Sequence, residues 1–183
     1  MLTTKGTGMD FSFADYYVLR EAQTKGALRV RCKEKLNQFR IHRGDNPEDQ
    51  VFIFEEAVGG KLYDVISTGY AGLYLYSDKF VNLLRTHECT GWKCYPVKIY
   101  SRYGQSINGY NGVSITGRCG PLINDQSQLV IGEPRVPGAP ASKFWLGLYF
   151  DPENWDGSGI FSPDSSLTKL SIKILKIYWK IIT

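Results

Sequence analysis

The chain has 183 residues, of which 43% are hydrophobic and 14% aromatic, with nineteen glycines. That length supports one sizeable core, and the composition excludes a helical bundle in favour of a strand-rich α+β fold with many turns. The formal charge of +4 belongs wholly to Lys169, Lys173, Lys176 and Lys180, so residues 1–168 are balanced and lack the overall basic charge of a dedicated nucleic-acid binder.

No apolar run suits a signal peptide or a membrane span, which makes the cytoplasm the expected compartment and gives no reason to expect membrane attachment. Residues 15–21 (DYYVLRE) are the first apolar cluster and read as an edge strand. In 28–35, Arg29, Arg31, Lys33 and Lys35 alternate with Leu28, Val30 and Cys32, the two-residue period of a half-buried strand. The cationic row is either an anion or nucleic-acid contact or a solvated edge-strand face on which cations discourage stray pairing, and the second is its ordinary use. Residues 43–50 (RGDNPEDQ) carry turn chemistry, and 51–54, 62–66 and 73–76 read as strands, the last leading into a helix.

The most explicit stretch is 77–100, SDKFVNLLRTHECTGWKCYPVKIY. Ser77 can cap a helix whose first turn carries Asp78, and the spacing predicts an amphipathic helix over 78–89 that buries Phe80, Leu83, Leu84 and His87. Gly91 offers the left-handed conformation that ends it, and 92–100 continues as one strand. This helix is the expected central element, lying on a mostly antiparallel sheet.

The glycine-rich run 103–121 has neither the Lys-Ser/Thr of a phosphate loop nor the G-x-G-x-x-G of a dinucleotide site, so 108–112 reads as a turn and 113–116 as a strand. Residues 132–141 (GEPRVPGAPA) read as a flexible surface loop within one domain spanning 1–183. After a strand over 144–150 come Asp151, Glu153, Asp156 and Asp164. A calcium loop is excluded, because placing Gly157 sixth puts Pro152 first and Pro163 twelfth. A small hydrolase or carbohydrate-processing enzyme using Asp151, Glu153 and Asp156 remains an alternative, set against ordinary Asp-Pro and Asp-Gly turn chemistry.

His87, Cys89, Cys94 and Cys119 lack the paired spacing of a zinc site and read as core histidine and packed thiols. No catalytic set, cofactor cradle or metal cage is expected. The tail places four lysines on one helical stripe while its isoleucines favour a strand, so a C-terminal helix and a C-terminal strand both stand open.

Several of these segments, in order, resemble immunity proteins of bacterial polymorphic toxin systems, a family of small, largely uncharacterised proteins. The resemblance lies in Tyr16-Tyr17-Val18-Leu19, Asp64-Val65-Ile66 ahead of Ser77-Asp78-Lys79-Phe80, Leu83-Leu84, Gly91 before Tyr95-Pro96-Val97-Lys98-Ile99, and GLYFDPENWDGSGIF at 147–161. The isoleucine-lysine tail departs from the pattern. The resemblance implies a cytoplasmic protein that neutralises a cognate toxin by binding it, without a catalytic site or cofactor. Asp151, Trp155 and Asp156 are its candidate partner contacts, since a tryptophan flanked by acids suits an interface anchor.

Overall fold

The computed structural model describes residues 17–18, 24–47, 49–126, 128–132, 138, 142–146, 149–164 and 171–172. Their elements in chain order are β1 (Tyr17–Val18), β2 (Arg29–Cys32), α1 (Gln38–Arg43), β3 (Phe52–Val58), β4 (Val65–Ser67), β5 (Tyr74–Ser77), α2 (Asp78–Thr86), β6 (Trp92–Tyr95) and β7 (Val97–Tyr100). There follow β8 (Ser106–Ile107), β9 (Tyr110–Ile115), β10 (Gly117–Arg118), β11 (Gln128–Gly132), β12 (Ser142–Leu146), β13 (Ile160–Ser162) and β14 (Ser171–Ile172).

Eight strands form the main sheet in the order β6-β9-β5-β4-β2-β3-β7-β8. The α+β class holds, but the sheet is mixed: β2 with β4 and β3 with β7 run parallel, and the other neighbours run antiparallel. The expected single strand over 92–100 is two strands, because Pro96 has no N–H for a ladder and breaks the run. The break carries the chain from one edge of the sheet, β6, to β7 near the other, so the sheet curls round to bring its ends together. The Pro96 carbonyl accepts from the Phe52 amide at 3.2 Å and ties this crossing to β3.

Inside the curl lies the largest core, with Leu28, Val30, Cys32, Phe52, Phe54, Ile66, Leu75, Tyr95 and Ile99 buried. Tyr95 meets Phe52 edge-on at 5.4 Å and lies over Gly112, its partner across the ladder, where a Cβ would sit 1.9 Å from the ring. Gly112 is therefore a strand residue that makes room for an aromatic ring. The turn expected over 108–112 shrinks to Asn108 and Gly109 between β8 and β9.

Odd and even positions of β9 serve different faces. Val113 and Ile115 join Tyr76, Phe80, Val81 and Leu84 in a second core beneath α2, on the outer face of the sheet. Each of these large apolar side chains contributes roughly 1.5–3 kcal/mol on burial. From the opposite face, the buried Ser114 hydroxyl donates to the Ile41 carbonyl of α1 at 2.5 Å. Helix α1 begins at Asn37, whose side chain accepts from the Arg40 amide, and ends at left-handed Gly44 (φ 79°).

Helix α2 starts where expected: the Ser77 hydroxyl accepts from the Phe80 amide at 3.1 Å and donates to Asp64 at 2.6 Å. It ends at Thr86 rather than 89, because Glu88 already takes a left-handed conformation (φ 50°), before Gly91 does so at φ 85°. The buried stripe is Phe80, Val81 and Leu84, with Leu83 and His87 half-buried, so the helix is rotated toward Val81 relative to the expected face. Gly91 instead allows close contact: a Cβ there would lie 2.1 Å from the Ile160 carbonyl, and one on Gly117 would meet the same oxygen at the same distance. Two glycines thus let β13 cross the β9–β10 bend.

Beyond that crossing β10 pairs with β13 in parallel, and β13, β14 and β1 follow in antiparallel order. β11 and β12 form a separate antiparallel hairpin. Residues 133–137 and 139–141 of the expected loop lie outside the described residues, as do residues 165–170 and 173–183 of the tail and the edges of the 15–21 cluster. Ser171 and Ile172 of the tail are in strand β14.

Candidate interaction surface

The segment 151–158 is built by its own side chains. Asp151 caps a short 3-10 turn, Pro152–Asn154, accepting from the Glu153 amide at 3.0 Å. Trp155 is half-buried; its indole N–H donates to the Ser158 carbonyl at 3.1 Å, and its ring packs on Phe161 at 5.9 Å in a small core with Cys119 and Phe150. Asp156 accepts from the Ser158 amide at 2.9 Å and its hydroxyl through one carboxylate oxygen, and from the Arg118 amide at 2.8 Å through the other. Burial works against charge on Asp156, but the bonds from Ser158 and Arg118 outweigh it and hold the carboxyl below its usual range. A general acid needs the opposite shift, so Asp156 is suited to holding its loop rather than to protonating a leaving group.

Arg118 is the hub beside it. Its guanidinium donates to the Ile115 and Gly117 carbonyls at 2.6 and 2.7 Å and to Ser162 at 3.2 Å, fixing the β9–β10 bend to β13. His42 of α1 is buried, with its pKa lowered to about 4 by burial and by the Arg118 and Arg43 charges, so it is neutral at physiological pH. Neither residue stands out in the sequence as a site. The signal for His42 is the stretch NQFRIHRG, a cap residue and a closing glycine with six residues between them, of which only the end falls in the turn read over 43–50.

The suspected soft ligands separate. Cys89 and Cys94 pack at the α2 core, Cys119 lies in the core with Phe150 and Phe161, and among the described residues no group of three His, Cys, Asp or Glu side chains is placed to hold a metal. All four cysteines are free thiols. Burial pushes the Cys119 thiol up to about 12, with Asp164 and Asp156 adding to the shift, and burial also raises Cys89 and Cys94. Protonated thiols are poor nucleophiles.

The cationic row of 28–35 lies on a different kind of surface from the one expected. β2 is an interior strand between β4 and β3, not an edge, and Arg29 and Arg31 are exposed on the outer face while Val30 and Cys32 point into the core. Here α2 does not reach. The same bare face carries Lys33, Glu55 and Lys98, with Ile53 and Tyr100 half-buried among them. Lys33 pairs with Glu55 at 2.7 Å, both half exposed, a pair that adds little to stability in water. Arg29, Arg31 and Lys98 make no ion pair among the described residues.

No protein-family model matches this chain, and no curated protein matches it. Class is therefore set by architecture alone: a mostly β protein whose curled mixed sheet carries two helices. No described helix is long and apolar enough to cross a membrane.

Proposed function

We propose that this chain is a non-catalytic binding protein of the immunity type, which neutralises one bacterial toxin by covering part of its surface. The observation that carries the proposal is the bare outer half of the main sheet, where Arg29, Arg31, Lys33, Glu55, Lys98 and Tyr100 stand on paired, rigid strands. Backbone already paired in a sheet has little left to order on binding, and charge placed there sets partner choice and encounter rate. The order of segments resembling immunity proteins supports the same reading. In it the chain works in the cytoplasm as one domain around a central helix, without nucleic acid, and Asp151, Trp155 and Asp156 are secondary contacts through the exposed part of their loop.

The test is to express the toxin-like product of an adjacent reading frame with and without this chain in one host, and to titrate the two purified proteins by calorimetry. Rescue of growth together with a stoichiometric complex is expected. Absence of both removes the reading. The unpaired Arg29, Arg31 and Lys98 favour a second reading, an anion-binding module; a single-stranded oligonucleotide bound with steep salt dependence would place it first.

A further inference from the structure

We propose that the end of the main sheet formed by the β3–β4 turn and the β7–β8 hairpin docks an acid-rimmed apolar hollow on a partner protein, with Tyr103 as the anchor. The inference rests on the reading of the chain as a protein-binding module and says where and with what chemistry it binds. Three large apolar side chains are exposed at this end: Val58 (54%) and Leu62 (54%) on either side of the turn, and Tyr103 (83%) at the hairpin tip. Arg102 joins the two tips. Its backbone amide and guanidinium hold the Glu56 carboxylate, the Nε bond measuring 2.7 Å, and a guanidinium N–H reaches the Gly59 carbonyl at 3.5 Å.

Both tips are held before any partner arrives. In the hairpin, the Ser101 amide donates to the Gln105 carbonyl at 2.8 Å, the Gly104 amide to the Ser101 carbonyl at 2.9 Å, and the Ser101 hydroxyl accepts from the Tyr103 and Gln105 amides. In the β3–β4 turn, the Gly60 and Lys61 amides both donate to the Gly26 carbonyl, and Gly59 packs so closely that a Cβ would lie 2.0 Å from the Ala27 carbonyl. A nearly naked tyrosine on a turn with its backbone bonds made is a preorganised anchor, and tyrosine and arginine are the side chains in which interface energy concentrates.

Charge selects the partner. Lys25, Arg29 and Lys61 are exposed around the apolar centre with no ion pair among the described residues, beside the Arg102–Glu56 pair. The carboxylates nearest in sequence are engaged, Glu56 by Arg102 and Asp64 by Ser77 and Lys79. An apolar middle with an unmatched cationic rim fits a protein surface of the opposite rim charge. The aliphatic pair Val58 and Leu62 at its centre favours a protein over a nucleic acid, which would place cations along its backbone and stack bases on aromatic rings.

The experiment pans a random-peptide display library against the whole immobilised chain, and the enriched peptides are then titrated against variants. Expected are acidic peptides with apolar centres, whose Kd rises by about 30-fold or more in Tyr103→Ala, the scale of an interface anchor, and by about tenfold in Lys61→Glu. Phe39→Ala, which removes an exposed aromatic side chain on α1, should leave binding unchanged. Each variant's melting curve guards against misfolding. Peptides without acidic bias, binding indifferent to Tyr103→Ala, no enrichment, or preference for a single-stranded oligonucleotide at this end overturns the inference. Growth rescue by Tyr103→Ala equal to the parent would remove the docking site while leaving the immunity reading intact.

Discussion

The two halves of the main sheet are treated differently. The half with β5, β9 and β6 is covered on both faces, by α2 and its core of Phe80, Val81 and Leu84 outside and by α1 through Ile41 within the curl. The half with β2, β3 and β7 shares the inner core but leaves its outer face to Arg29, Arg31, Lys33, Glu55 and Lys98. The difference separates the tasks: cohesion comes from the covered half and the common interior, while the bare half is free to be selected for what it touches.

If that division holds, substitutions should be costly on one side and cheap on the other. Leu84→Asp places an unpaired charge beneath α2 and should cost on the order of 4 kcal/mol or more, seen as loss of cooperative unfolding or of soluble expression. A parent-like melt would mean that α2 does not seal the covered half.

Next in size is a pH effect from the same half. Below pH 6.5 the unfolded chain takes up a proton that native His42 refuses until about pH 4, so stability present above 6.5 is lost as pH falls toward 4. The slope approaches about 1.4 kcal/mol per pH unit and the total about 3 kcal/mol. Denaturant titrations across this window should show that slope in the parent and a flatter one in His42→Gln.

A smaller effect has the opposite sign. The Tyr95 hydroxyl is buried without a hydrogen-bond partner among the described residues, and burial raises its pKa, so it carries a desolvation cost. Tyr95→Phe keeps the ring over Gly112 and should stabilise by about 1 kcal/mol in the same titrations. Smallest of all, Arg31→Ala on the bare face should move stability by less than about 0.5 kcal/mol.

What the sequence made legible was local. The Ser77 cap and the start of α2 follow from contacts within a few residues and stand as read, while the alternation read over 28–35 holds in β2 as far as Cys32, where the strand ends. What it concealed depended on distant partners. The rotation of α2 toward Val81 is set by β5 and β9, the interior position of β2 by parallel pairing with β4, and the use of Gly91 by a carbonyl of β13. Pro96 was visible, but its role in closing the curl needed Phe52 from β3. The surface suffered most: the acidic turn drew attention by composition, yet Asp151, Trp155 and Asp156 each make bonds within their own loop, while Tyr103, at the head of a glycine-rich run, drew none.

If the bare half and its adjoining tips meet the proposed partner, binding slows amide exchange there. Amide hydrogen exchange of the chain alone and with the toxin-like product of the adjacent reading frame tests it most directly. Added protection is expected over 29–33, 53–62 and 98–106, with 78–86 and 110–115 unchanged. Protection confined to 151–158 or to the face of α2, or none at all, would contradict it.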